Sequence, residues 1–67
     1  MAWKMLREIK SPRSEDIAKG VAHWVKAEAI ARQRLARAEN SAARQRQMDR
    51  ISFCQVAAME AKKQGIQ

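Results

Sequence analysis

The sequence predicts an all-α protein: a helical hairpin, with helices over about 14–39 and 42–63, preceded by a short helical arm. Three observations lead there. Pro12 is the only proline, so no proline interrupts the chain from residue 13 onward. Alanine, the strongest helix former, fills 13 of 67 positions, and Arg, Gln, Glu, Lys and Met supply much of the remainder. Apolar residues recur at steps of three and four, the spacing of one helix face. A single long helix of about 50 residues, roughly 75 Å from end to end, meets the same observations. The hairpin is preferred because it gives the Trp24 face something to bury against.

Residues 1–10 form the arm, with Trp3, Leu6 and Ile9 at a helical step of three. A free helix that short is marginal in water, so the arm is expected to order by packing on something. The stretch Ser11-Pro12-Arg13-Ser14-Glu15-Asp16 is the clearest punctuation. Ser11 with Pro12 at the first helical position, or Ser14 followed by two acids, would each start a helix between residues 11 and 15. The first long stripe runs Ile17, Val21, Trp24, (Glu28), Ala31, Leu35, Ala38, Ala42, thinning from large residues to alanines. Gly20 falls early in it and costs a helix about 1 kcal/mol relative to Ala; it either admits close approach of the arm or a neighbouring helix or is simply a tolerated exposed glycine.

A second stripe, Met48, Ile51, Cys54 and Ala58, begins on a different face. The change of phase falls near Asn40-Ser41, where Asn40 could end one helix and Ser41 could cap the next. Phe53, Val56, Ala57 and Met59 cover much of the remaining circumference, so residues 51–61 are expected to be buried on more than one side. Gly65 then ends the last helix. The whole chain, 1–67, reads as a single small domain: arm 1–10, helical region 11–64 and tail 65–67.

A domain this short buries only about 60% of the surface its unfolded chain exposes, and usually needs a supplement. Cys54 is the only cysteine and His23 the only histidine, so neither an internal disulfide nor a metal cage is expected, and no cofactor is implied. Self-association or docking on a larger partner is the supplement that remains. No signal-peptide core and no apolar run of about 20 residues occurs, so a cytoplasmic location is expected, or the virion for an assembly component.

Catalysis is not expected. Cys54 and His23, the one pair that could make a thiolate–imidazole nucleophile, have no glycine-rich elbow or oxyanion loop near them. Cys54 lies among apolar residues, where an inert buried thiol is the simpler assignment. Glu15 and Asp16 are explained by the positive end of a helix. A phosphate-cradling loop needs several glycines, and the chain contains only Gly20 and Gly65.

Charge carries the strongest functional signal. The net charge is +7. Residues 32–50 hold six arginines (Arg32, Arg34, Arg37, Arg44, Arg46 and Arg50) against Glu39 and Asp49, a net +4. Every cation in that block is arginine, the side chain that pairs bidentately with phosphate and carboxylate. Gln33, Asn40, Gln45 and Gln47 are interleaved, amides suited to base-edge contact. On one continuous helical wheel, Arg34, Arg37 and Arg44 cluster while Arg32, Arg46 and Arg50 lie on another side. Local pairing with Glu28, Glu39 and Asp49 is the bland alternative.

The run Asn40-Ser41-Ala42-Ala43-Arg44 resembles the basic region of leucine-zipper transcription factors, in which an asparagine precedes paired alanines and arginines. Here the alanines come one residue early, and Ile51, Ala58 and Gly65 at heptad spacing make no zipper. The chain is not assigned to that family.

The leading expectation is therefore a non-catalytic basic helical protein contacting nucleic-acid phosphates, DNA or RNA, through the six arginines. Its alternative is a structural or regulatory subunit of a larger assembly, docking on an acidic protein surface or through Trp3, Leu6, Ile9, Ile51, Phe53, Val56 and Met59. An amphipathic helix on anionic lipid fits less well, because the apolar stripe is weakest where the charge is greatest.

Overall fold

The computed structural model describes residues 11–67, and among them the chain is all-helical: α1 (Ser14–Ile17), α2 (Val21–Arg37) and α3 (Ser41–Lys63). The two long helices pack together as an antiparallel hairpin, and α1 sits against α3. The single long helix is thereby excluded. The arm, with Trp3, Leu6 and Ile9, lies outside the described residues.

The first helix starts where the serine-proline stretch predicts, though neither serine caps it. Arg13 holds the cap position, and its N–H donates to the Asp16 carboxylate at 3.0 Å. Asp16 and Glu15 lie in the first turn, against the positive helix end. After one turn the helix stops, and the predicted 14–39 helix is broken in two. Gly20 is the reason. Its φ of 94° and ψ of 165° lie in a region that only glycine occupies readily. Rather than standing within a continuous helix, Gly20 turns the chain and holds the cap position of α2.

The first N–H groups of α2 find unusual partners. Val21 N–H donates to the Ile66 carbonyl and Ala22 N–H to the Gln67 carbonyl, each at 3.0 Å. Residues 65–67, read as a tail from sequence, thus cap the start of α2 with backbone. Gly65, at φ 73°, delivers them there. The Ile66 N–H reaches Ala61 O at 2.9 Å and the Gly65 N–H reaches Lys62 O at 3.1 Å, the paired bonds of a Schellman ending.

The hairpin turn is residues 38–40. Ala38 leaves α2 in extended conformation, and Asn40 caps α3, its side-chain oxygen accepting from Ala43 N–H at 2.8 Å. Asn40 is thus the cap itself, and Ser41 is the first helical residue. Replacing Asn40 with Ala is expected to cost about 1 kcal/mol of stability, read as a lowered urea midpoint.

Between the long helices the core is small-residue packing around one large side chain. Trp24 and Ala31 from α2 are buried with Ile51, Cys54, Ala57 and Ala61 from α3, and Ile17 closes the α1 end. Alanine and cysteine let the helices approach closely, and Trp24, only 4% exposed, fills the space left near Cys54 and Ala57. Phe53 meets it edge-on at 5.4 Å between ring centroids, and His23 does so from outside at 4.7 Å. The indole N–H donates to Asp16 O at 2.8 Å, which ties α1 to α2. Trp24→Phe keeps an aromatic ring but loses that bond and leaves a gap. We expect a loss of about 2 kcal/mol in urea unfolding.

The first stripe is confirmed from Ile17 to Ala38, all of it buried or half-buried, while Ala42 lies beyond the break and is exposed. The second holds at Ile51 and Cys54, which are buried, and at Ala58, which is half-buried; Met48 is exposed, and Gln47 and Ala57 join the inward face. Residues 51–61 are buried on one side only, with Val56 45% and Met59 60% exposed.

Candidate nucleic-acid interface

The break at 38–40 changes how the arginine block must be read. The six arginines do not sit on one wheel. Arg32, Arg34 and Arg37 belong to the second half of α2, and Arg44, Arg46 and Arg50 to the first ten residues of α3. The antiparallel turn folds the block on itself, so all six stand on the half of the hairpin nearer the turn. Every one is exposed.

Their local environments differ. Arg32 is tied down: its guanidinium meets Glu28 Oε2 at 2.7 Å through Nη2 and 2.9 Å through Nε. Such an exposed i,i+4 pair contributes only a few tenths of a kcal/mol, and a polyanion could displace it. Arg34, Arg37 and Arg44 form no ion pair among the described residues. Arg34 and Arg37 lie in the last turn of α2, where cations suit the negative helix end. The start of α3 is different. It has no acidic residue in its first turn, and its first charged side chain is Arg44. Local stability would place Asp or Glu there, so Arg44 has no stabilising explanation in the helix itself.

The amides are largely committed within the protein. Asn40 caps α3, and Gln45 Nε2 donates to Asp49 Oδ1 at 3.1 Å. Gln47 is half-buried with an Oε1 shut away from solvent and without a hydrogen-bond partner among the described residues. Gln33 alone of the four is exposed and makes no hydrogen bond among the described residues. The i,i+4 spacing of Gln45 and Asp49 and the Asn-Ser-Ala-Ala cap were signals in the sequence for the first two.

The residues assigned to partner docking divide. Ile51 is buried in the core and Phe53 is half-buried against Trp24, whereas Val56 and Met59 face outward. Cys54 has no exposed surface, and burial pushes its thiol up, with Arg50 opposing and Glu28 adding to the effect. His23 is exposed on the outside of α2. No cluster of three metal-ligating side chains occurs among the described residues, and no helix there is long and apolar enough to cross a membrane. An open depression of about 420 Å³ beside α1 is lined by Ser11, Arg13, Glu15, Asp16 and Phe53; its mixed charge favours no single ligand chemistry.

No protein-family model matches the chain, nor does any curated protein or solved structure.

Proposed function

We propose that the protein is a non-catalytic nucleic-acid-binding module that grips phosphates with the arginines at the closed end of its hairpin. The observation that carries this reading is six exposed arginines on the turn-proximal halves of two packed helices, against Glu39 and Asp49. Arg44 adds weight, because it stands where helix stability would prefer an acid. Arginines rooted on two packed helices can meet phosphates without first ordering a loop.

Titration of labelled DNA and RNA against salt tests the reading. Neutralising about four phosphates predicts a log–log slope near −3.6 for duplex DNA, a loss of roughly two orders of magnitude between 50 and 200 mM. A flat salt response, or no binding at physiological salt, would remove the phosphates and return the arginines to a protein surface.

One observation favours a second reading, a subunit docked in a larger assembly. Val56 and Met59 expose apolar surface on the outside of α3, beside the half-buried Phe53. This version predicts an isolated chain whose melting depends on protein concentration or on an added partner. A sharp, concentration-independent transition would count against it.

A further inference from the structure

We infer that the arginine end takes duplex nucleic acid by its phosphate backbone alone, without reading bases and without a single-strand stacking platform. The inference rests on the nucleic-acid reading above and names the class of ligand at that same site.

The first ground is the fate of the amides. Base recognition by Asn or Gln needs a free carboxamide that can bond an adenine edge bidentately. Asn40 spends its oxygen on the α3 cap, Gln45 is bonded to Asp49, and Gln47 is turned toward α2 with its oxygen shut in. That leaves Gln33, alone among the four, to reach a base.

The second ground is width. Two packed helices, each about 10 Å across with axes 8–10 Å apart, present an end roughly 20 Å wide. The major groove of B-DNA is about 12 Å wide, so the arginines of both helices cannot enter it together. Nor does α3 alone suit the groove. Its face away from α2 carries Gln45, Asp49, Ser52 and Val56, which would bring a carboxylate toward the phosphates. Arginines standing on both helices instead reach backbone across a groove, where contacts position a protein but carry no sequence information.

The third ground is an absence in the sequence. Residues 25–52, which span the whole arginine-bearing end, contain no Trp, Tyr, Phe or His. Among the described residues the aromatic rings are otherwise engaged: Trp24 is buried and Phe53 packs against it, so neither offers a face at that end. Single-strand binding without sequence preference draws about 1–3 kcal/mol per base from aromatic stacking. A duplex asks for none of this, and it doubles the charge per unit length.

The test uses the full chain and fluorescence anisotropy with short labelled probes: three duplexes of unrelated sequence, the separated strands, and one RNA duplex, all at one moderate salt concentration. The expected result is Kd values within about threefold across the duplexes, below the tenfold that one lost base contact typically brings. Single strands should bind about tenfold more weakly, and Gln33→Ala should change neither ratio. One duplex preferred by tenfold or more, with the preference erased by Gln33→Ala or surviving it, would overturn the backbone-only inference and leave phosphate binding intact. Single strands bound as tightly as duplexes would overturn the choice of duplex. No binding to any probe would overturn this inference and the nucleic-acid reading together.

Discussion

Gly20→Ala is expected to unfold the protein or bring it close to unfolding. A Cβ built on Gly20 would lie 2.6 Å from the Gln67 carbonyl carbon and 2.8 Å from its oxygen, and both are backbone atoms, so the chain itself must shift. The backbone there, at φ 94°, also strains any side chain. To relieve either, residues 66–67 must leave the start of α2, which frees the Val21 and Ala22 N–H groups and loosens the turn that lets Trp24 reach Asp16. Strain plus lost capping amounts to about 3 kcal/mol or more. A core this small supplies roughly 3–5 kcal/mol in total. Gly65→Ala is the natural comparison. Gly65 also has a positive φ, 73°, but a Cβ there meets nothing within 4 Å, so its cost is the backbone's alone, about 1 kcal/mol. Far-ultraviolet dichroism during urea titration measures both. A Gly20→Ala protein as stable as Gly65→Ala would mean that the C-terminal residues do not close against α2.

Reversing Arg34, Arg37 and Arg44 together to glutamate is expected to abolish nucleic-acid binding. All three are exposed and form no ion pair among the described residues, so their loss removes no contact that holds the hairpin. Effects on folding should be small and partly compensating. Glu at 34 and 37 opposes the negative end of α2, Glu at 44 suits the start of α3, and each shift is about 0.3–1 kcal/mol. Binding responds far more. Three lost phosphate contacts and three new repulsions change affinity by more than about a hundredfold at moderate salt. The dichroism spectrum, unchanged, shows that the fold survives; retained affinity would show that the arginines are solvated surface.

The hairpin was legible in the sequence because its signals are local and agree with one another. Steps of three and four marked Ile17, Trp24, Ala31 and Leu35 as one face, and the phase change near Asn40 marked the turn. What escaped was long-range. Gly20 looks like a costly residue within a continuous stripe, since Ile17, Val21 and Trp24 keep helical spacing across it. Only the arrival of Ile66 and Gln67, more than forty residues away in sequence, explains why a left-handed turn is stable there. The inward face of α3 was legible in part. Ile51, Cys54 and Ala58 turn inward as their spacing suggests, whereas Met48, apolar enough for a core, is exposed, and the small neighbours of Trp24 are Cys54 and Ala57. For the site, the arginines were plain in the sequence, while the turn between them was not drawn into their grouping. One wheel drawn through Asn40 does not apply, because Arg32, Arg34 and Arg37 lie on α2 and Arg44, Arg46 and Arg50 on α3. The amides were read as base contacts; two of them had local bonding partners already written in their i,i+3 and i,i+4 neighbours.

The most direct test of the account separates the place of the charge from its amount. The Arg34, Arg37 and Arg44 reversal lowers net charge by six, and so does reversal of Lys26, Lys62 and Lys63, which lie toward the open half of the hairpin. Anisotropy of one labelled duplex at about 0.15 M salt, where fields beyond roughly 8 Å are screened, compares the two variants with the unaltered protein. The arginine variant should show no saturable binding, while the lysine variant keeps its Kd within about tenfold and loses less of the salt slope. Equal losses in both variants would contradict the account: binding would follow overall charge, and the closed end of the hairpin would not be the site.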